Sequence, residues 1–363
     1  MFPTRKITTS GGDVFRDEFS LAFDGTNDYI DLSGTFNYNV HSISIWLKET
    51  ATSGQSTIFD HRDGNNDGIN FYLASGQPLY AVNNVDAHYT TSLDLNQWSH
   101  IVLTNDGSTS TIYVNGVSVK TADTSGETIN ISSSANARFA RDNTGNYFTG
   151  NLSEAAIYDK ALSASEVKTL YNSREPYNHK EGVCSSNLKA WWRMGDGVLD
   201  SKQNNHSHTG IVSDETNPTL NSDLLAGKGD FSDASYWSTV SGQSIVEDNV
   251  GKFLGNGSYN AITKSGILTV GKIYRCQLDC TANSGTAINI NQTSFFPQVV
   301  PLGQTGTHFC FFKPTGTTFT LYAPENTYGE TATIDNVIVQ EVNGNAGALI
   351  NFITTSCFEG DTP

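Results

Sequence analysis

Apolar and polar residues alternate with a period of two along much of the chain. In HSISIWLKE, Ile43 and Ile45 alternate with serines, and TIYVNGVSV holds two such runs joined by Asn115-Gly116. A period of two places successive side chains on opposite faces of a strand, and Asn-Gly favours the tight turn of a hairpin. Turn residues recur at intervals of roughly 8–12 residues, which is typical of β-sandwiches. The pattern therefore predicts many short antiparallel strands.

One stretch, NLSEAAIYDKALSASEVKTLYN (151–172), departs from this pattern because a strand-like run turns into an amphipathic helix. Ser163 and Glu166 have the spacing of a capping box, in which each residue bonds the other's backbone N–H. The apolar stripe behind the cap consists of Val167, Leu170 and Tyr171. We therefore expect a closing strand followed by a short helix that packs against the sandwich.

These patterns predict an all-β chain of two tandem antiparallel β-sandwich (jelly-roll) domains, with one short helix closing the first. The regular succession of strand signals ends after Tyr171, and a polar connector follows that contains one aromatic strand from Leu188 to Met194. The expected segments are an N-terminal arm (1–17), a first jelly roll (18–173), a connector (174–220), a second jelly roll (221–343) and a C-terminal arm (344–363).

Composition narrows the functional classes. The chain has 363 residues, a net charge of −16 and 16% charged residues. An acidic excess argues against nucleic-acid binding, which depends on Lys and Arg at phosphates, and no apolar run predicts a membrane span or secretory leader. The five cysteines include no CxxC pair; Cys276 and Cys280 share one face of a strand. We expect buried free thiols and folding in a reducing cytoplasm.

Three ordered segments resemble laminin-G-like, concanavalin A-like jelly rolls. They are FSLAFDGTNDYIDL (19–32), NQWSHIVLTNDGSTSTIYVNGVSV (96–119) and GNLSEAAIYDKALSASEVKTLYN (150–172). The aromatic segment LKAWWRMGDGVLDSKQNNHSHTG (188–210) resembles an element that precedes the first of these in many such domains. We hypothesise that its strand, with Trp191 and Trp192, packs back onto the first sandwich.

The second domain resembles jelly-roll carbohydrate-binding modules at LAGKGDFSDASYWS (225–238) and TIDNVIVQEV (333–342). That resemblance implies a structural calcium, but Ser232 stands where an acidic residue is common. Together with the terminal EGDTP, the domain order resembles structural proteins of tailed bacteriophages. The resemblance implies a virion protein, made in the host cytoplasm and assembled into the particle, with other virion proteins as partners and a homotrimer or other symmetric homo-oligomer as its form.

Sugar binding needs exposed aromatic rings beside amide and carboxylate groups. The candidate sugar contacts are Trp237, Phe295, Phe296 and Tyr322. Sandwich cores take up most aromatic side chains, so a core position is the competing interpretation for each of them.

A calcium loop is the candidate metal site. Asp63, Asn65 and Asp67 follow the first half of an EF-hand loop, but Ala74 occupies the position of its final bidentate Glu. We favour a polar hairpin turn, which Asp, Asn and Gly also form, and keep calcium as the alternative. Otherwise no cofactor is expected.

The chain has no motif of catalytic residues such as HExxH or GxSxG, so we expect no enzymatic activity. The leading hypothesis is a non-enzymatic bacteriophage virion protein on the particle exterior, as a decoration, fibre or tail component, whose lectin-like domains bind glycans weakly. The alternatives are a bacterial carbohydrate-binding or adhesion protein and a polysaccharide-cleaving enzyme, which needs an acidic pair across a sandwich groove.

Overall fold

The structure, a computed structural model, describes Phe15, residues 17–52, 54–132, 135–200, 210–240, 242–254, 260–291, 298–323 and 331–350, Phe352 and residues 357–363. Within these residues antiparallel strands form four sheets, and each of two pairs of sheets encloses its own hydrophobic core. The expected all-β sandwich fold is confirmed.

Short strands follow one another closely along the chain, as the alternating pattern predicts. Up to the connector they are β1 (Ser20–Asp24), β2 (Tyr29–Leu32), β3 (His41–Glu49), β4 (Ser56–Arg62), β5 (Gly68–Ala74), β6 (Gln77–Val82), β7 (Val85–His88), β8 (Ser99–Asn105), β9 (Thr109–Val114), β10 (Val117–Asp123), β11 (Arg138–Phe139), β12 (Thr149–Tyr158) and β13 (Leu188–Trp192). The later strands are β14 (Ile211–Val212), β15 (Ser238–Thr239), β16 (Ser244–Glu247), β17 (Val250–Phe253), β18 (Asn260–Lys264), β19 (Tyr274–Asn283), β20 (Ile288–Ile290), β21 (Gln298–Val300), β22 (Gly306–Phe312), β23 (Phe319–Ala323), β24 (Ala332–Glu341), β25 (Gly347–Ile350) and β26 (Phe358–Glu359).

Each of the two larger sheets contains strands that follow one another in the sequence and strands that lie far apart in it. Sheet 1 has the order β10-β9-β8-β3-β12-β1-β26, with β13 also beside β12, and sheet 2 has the order β14-β25-β2-β11-β4-β5-β6-β7. Sheets 1 and 2 form the first sandwich. Sheet 3 (β15-β18-β23-β20-β21) and sheet 4 (β16-β17-β24-β19-β22) form the second.

The predicted helix is α1 (Ala164–Tyr171), and its start is confirmed. Ser163 is the N-cap, and both bonds of the capping box with Glu166 are present. Val167 and Leu170 are buried in a cluster on the outer side of sheet 1, so the helix covers this face. The remaining helical segments are 3-10 turns at Asn172–Arg174, Ser185–Asn187, Lys228–Asp230 and Ala234–Tyr236. Among the described residues, no helix has the length and apolar character needed to cross a membrane.

The connector strand β13 packs onto the first sandwich, as we hypothesised. It pairs with the second half of β12, with Trp192 opposite Ala155. Trp192 is fully buried in the core of the first sandwich, and its Nε1 donates to the carbonyl of Asn345 at 2.9 Å. Trp191 lies on the opposite face, in the cluster under α1.

The C-terminal segment 344–363 is not a free arm, and our expectation of one is corrected here. β25 pairs with β2, with Ile350 opposite Tyr29, and β26 pairs with β1, with Phe358 opposite Leu21. Both strands cover backbone groups of β1 and β2 that would otherwise form unpaired edges. Of the expected N-terminal arm, Phe15 and residue 17 are described, and the other residues up to 17 lie outside the described part.

The core of the second sandwich takes alternate residues of its strands. Cys276, Leu278 and Cys280 of β19 point inward, as their spacing predicts. Cys276 lies directly opposite Cys310 of β22, and all three of these cysteines are buried free thiols. Arg275, Gln277 and Asp279 consequently face outward.

The two sandwiches meet at an apolar contact that we call the junction cluster. Its buried members are Ile211, Ala346, Ala348 and Ile350 on the side of sheet 2, and Ile273, Phe311 and Val342 on the side of the second sandwich. Lys313 reinforces the contact, since its Nζ lies 3.0 Å from Asp31 Oδ2 and donates to the carbonyl of Leu32 at 2.9 Å. The outer faces of sheets 2 and 4 therefore meet at this junction.

Candidate functional site

Of the four aromatic residues predicted to contact sugar, the structure describes Trp237 and Tyr322, which do not lie in one site. Trp237 is a core residue, since it is 6% exposed, packs 5.0 Å from the Phe231 ring and donates its Nε1 to the carbonyl of Lys228. That prediction is corrected, because a buried ring presents little surface to a ligand. Tyr322 is half-buried on the outer face of sheet 3. Phe295 and Phe296 lie outside the described residues.

The predicted calcium loop is closed by its own backbone. Asp63 Oδ1 accepts hydrogen bonds from the N–H groups of Asn65 at 2.8 Å and Asp67 at 3.2 Å, while Asp63 N donates to the carbonyl of Asp67. These bonds are those of a polar turn between β4 and β5. The described part of the chain contains no group of three or more His, Cys, Asp or Glu side chains placed to hold a metal ion.

Asp17 and Glu154 form a pair of adjacent carboxyl groups that is sealed from solvent. Glu154 is fully buried and accepts from Trp191 Nε1 at 2.6 Å and from Arg193 Nε at 3.1 Å. Phe15 covers the pair, with its ring 6.0 Å from that of Trp191 and 4.6 Å from the Arg193 guanidinium. Burial raises the pKa of both carboxyl groups. The arrangement anchors the chain before β1 and leaves no room for a polysaccharide.

An exposed aromatic ring on the outer face of a sheet is found instead on sheet 4, at Phe309 of β22. Its neighbours Cys310 and Phe312 point into the core, so alternation directs Phe309 outward, where it is 45% exposed. The next outward residue, Phe311, supports it edge to face at 6.1 Å and is buried in the junction cluster. Phe309 is therefore held by a fixed neighbour while much of its ring stays accessible.

Polar groups suited to sugar hydroxyls surround this ring. Gln277 of β19 lies directly opposite Phe309, and the Arg275 guanidinium lies 4.8 Å from the ring centre. Arg275 Nη2 donates to Gln277 Oε1 at 2.7 Å. On β24, Ile338 stands opposite Gln277 and adds a half-buried apolar side chain. We call this surface, formed by Arg275, Gln277, Phe309 and Ile338, the Phe309 face.

The charge of the sheet changes along its strands. At the end away from the junction, Asp279 accepts from Thr307 Oγ1 at 2.5 Å and from Asn336 Nδ2 at 2.9 Å. These hydrogen bonds hold the pKa of the Asp279 carboxyl below its ordinary value, so it is ionised at neutral pH. Arg275 carries the positive charge nearer the junction. A ligand on the Phe309 face thus meets an acidic end and a basic end.

Sequence reasoning missed this face, although the signal is present. The run THFCFF in β22 places Phe309 and Phe311 on the face opposite Cys310 and Phe312. Alternation alone identifies two faces but not which of them is enclosed. The run YRCQLDC supplies the answer, because the polar residues Arg275 and Gln277 mark the outer face of the paired strand.

A comparison with known protein families agrees with the fold of the first sandwich. Residues 24–168 match the family model of the concanavalin A-like lectin/glucanases superfamily, which agrees with the jelly-roll fold of this part of the chain. No curated protein sequence matches the chain.

Several solved structures are similar to this chain at low identity. A carbohydrate-binding protein described from Bacteroides ovatus is 18% identical with a TM-score of 0.44; the match covers 58% of this chain and 61% of that chain. A heptameric SAP-like pentraxin from Limulus polyphemus is 18% identical (TM-score 0.38, 43% and 82% covered). The CBM40 module of a Ruminococcus gnavus IT-sialidase, bound to α2,3-sialyllactose, is 16% identical (TM-score 0.36, 42% and 96% covered). The chain thus spans about three fifths of the length of the first of these.

Proposed function

We propose that this chain is a non-enzymatic carbohydrate-binding protein that holds a glycan on the Phe309 face. The observation that carries the proposal is the 45% exposed Phe309 ring beside Arg275 and Gln277 on the outer face of sheet 4. A pyranose ring has an apolar face that packs on an aromatic ring and a rim of hydroxyls that need hydrogen-bond partners. The three side chains supply both requirements.

The positions of the carboxyl groups support a protein that binds a glycan without cleaving it. Cleavage of a glycosidic bond by the common route uses two carboxyl groups on either side of the bond. The adjacent pair Asp17 and Glu154 is sealed under Phe15, and Asp279 near the Phe309 face is committed to Thr307 and Asn336. The geometry of the Phe309 face supports retention of a sugar.

A single open face of this kind gives shallow contacts, so the proposal includes multivalency. Several copies held together raise the effective concentration of each site and compensate for a weak individual site. We propose a symmetric homo-oligomer, with a trimer as the preferred form. The size of the assembled protein in solution, measured by sedimentation equilibrium, tests this part: a monomer at micromolar concentration contradicts it.

The proposed setting is the exterior of a bacteriophage particle, with other virion proteins as partners. Support for it comes from the order of segments in the chain, where a concanavalin A-like domain precedes a second jelly roll and the terminal EGDTP. Mass spectrometry of intact purified particles from a phage that encodes this chain tests the setting. The chain should be present in many copies, and its absence would contradict a virion role while leaving glycan binding open.

The binding proposal is tested with the full chain on an array of immobilised polysaccharides. We expect retention on at least one polysaccharide class and loss of at least tenfold in affinity for Phe309→Ala. Val117→Ala is the matched control, because Val117 is 63% exposed at the start of β10 in the first sandwich. Unchanged binding by Phe309→Ala, or no retention on any polysaccharide, would overturn the proposal.

A further inference from the structure

A second aromatic group lies on the outer face of the first sandwich, close to the junction. The guanidinium of Arg141 lies 4.8 Å from the ring centre of Tyr29 and 5.5 Å from that of Tyr147. The two rings are 6.4 Å apart, and all three residues are half-buried. The two tyrosine rings hold the guanidinium in place, and Arg141 also hydrogen-bonds Tyr29. The Nε of Arg141 is buried and has no hydrogen-bond acceptor among the described residues.

This group continues the Phe309 face across the junction. Phe309 contacts Phe311, which is a member of the junction cluster. Tyr29 packs against the same cluster from the other side and is paired in register with Ile350. Lys313 of the second sandwich forms an ion pair with Asp31 of the first sandwich. Arg275 with Phe309 and Arg141 with Tyr29 thus flank the buried junction cluster, one group on each sandwich, and we call these two groups together with Lys313 the junction band.

The junction band holds Arg275, Arg141 and Lys313, of which Lys313 is paired with Asp31, in a chain whose net charge is −16. Among the described residues, the ion pairs do not include Arg138, Arg141 or Arg275. Arg138 is in β11, directly opposite Asp31 in β2, and acts electrostatically on Tyr29. Guanidinium groups without carboxylate partners are the groups that bind carboxylate and sulfate in two-point contacts. The protein therefore keeps cations available on an otherwise acidic surface.

We infer that the glycan is an acidic polysaccharide that lies across the junction, with sugar rings on Phe309 and on Tyr29 and with its carboxylate or sulfate groups on Arg275 and Arg141. This inference rests on the proposed function and names the class of its ligand. Because the Asp279 carboxylate repels anions, the bound polysaccharide extends from the Phe309 face toward the first sandwich.

The first experiment tests the charge of the ligand. The full chain is offered polygalacturonate, hyaluronan and polysialic acid, each beside its carboxyl-reduced form, and dextran sulfate beside dextran. We expect at least one acidic polymer to bind ten times or more tighter than its neutral counterpart, with an affinity that falls as salt rises. Equal affinity for both forms would overturn this inference and leave the proposed function intact. Failure to bind any of the polymers would overturn both.

The second experiment tests whether the ligand spans the junction. Fragments of the preferred acidic polymer, graded in length, are titrated against the wild type and against two variants. Arg275→Gln should weaken short and long fragments alike, whereas Arg141→Gln should weaken only fragments long enough to reach both sandwiches. Arg141→Lys keeps the charge and should recover part of the loss. Lys120→Gln, which removes an exposed cation on β10, is the control. An Arg141→Gln variant that binds long fragments like the wild type would refute the spanning geometry.

Discussion

The guanidinium of Arg275 lies 4.8 Å from the centre of the Phe309 ring and donates a 2.7 Å hydrogen bond to Gln277 Oε1. Gln277 therefore orients the guanidinium that borders the exposed ring. We predict that Gln277→Ala weakens glycan binding about fivefold, since a lost hydrogen bond contributes roughly 1 kcal/mol and tenfold corresponds to about 1.4 kcal/mol. Isothermal titration calorimetry with the polysaccharide retained on the array measures the change.

Gln340→Ala is the matched control for this prediction. Its Nε2 donates to the carbonyl of Asn221, so its amide is used within the protein. The variant should lower the free energy of unfolding by about 1 kcal/mol and leave glycan affinity nearly unchanged. If Gln277→Ala and Gln340→Ala weaken binding equally, Gln277 has no special part in the Phe309 face.

A second prediction concerns the junction, where Lys313 is largely buried between Asp31 Oδ2 and the carbonyl of Leu32. Lys313→Ala leaves the Asp31 carboxylate without its cation at a contact between the sandwiches. We expect the free energy of unfolding to fall by about 1–3 kcal/mol, because a buried polar group without a partner is costly. Chemical denaturation measures the loss.

The control for the junction is Lys252→Ala, which removes a cation from two exposed carboxylates, Glu247 and Asp248. Pairs of this kind contribute about 0–1 kcal/mol. Equal losses for Lys313→Ala and Lys252→Ala would show that the interdomain ion pair has no special weight.

The local pattern of residues was sufficient to predict those parts of the fold that form within a short stretch of chain. The capping box of Ser163 and Glu166 predicted the start of α1, and Asn115-Gly116 predicted the turn between β9 and β10. Both depend on interactions between residues close in sequence, which the sequence displays directly.

The pairing of strands that are far apart in the sequence could not be predicted from the local pattern of residues. β25 and β26 are short, and they pair with strands more than 300 residues earlier, so they were expected to be an arm. Phe309 was overlooked for a related reason: alternation divides β22 into two faces, but burial depends on which sheet covers each face. Trp237 was named as a candidate contact because it is aromatic, and packing against Phe231 places it in the core.

A third prediction tests the C-terminal strands directly. Phe358 of β26 lies opposite Leu21 and belongs to the core of the first sandwich. We predict that Phe358→Ala costs about 3 kcal/mol or more of folding free energy, as expected for a large buried side chain. Phe309→Ala should cost far less, since that ring is half-exposed. A small effect of Phe358→Ala would show that β26 contributes little to the first sandwich.

The buried pair Asp17 and Glu154 yields a prediction about pH. Burial raises the pKa of both carboxyl groups above the ordinary value near 4, and repulsion from Glu154 raises that of Asp17 further, so the folded state holds protons that the unfolded state releases. The stability they contribute is fully present at acidic pH and is lost as pH rises. Between pH 8 and 9 the histidines, whose ordinary pKa is about 6.5, are almost wholly neutral in both states, and the buried thiols, whose pKa is raised by burial, add slope of the same sign as the carboxyl pair. The free energy of unfolding should therefore fall from pH 8 to pH 9.

Asp17→Asn isolates the contribution of the pair. The amide oxygen can still accept from Ser153 Oγ, and without a second carboxyl group Glu154 can ionise beside Arg193. The slope of unfolding free energy against pH should decrease, by up to about 1.4 kcal/mol per pH unit for each proton no longer released. Asp248→Asn, at a side chain that is 82% exposed, should leave the slope unchanged. If Asp17→Asn and wild type show the same slope over this range, the two carboxyl groups do not share a proton in the folded protein.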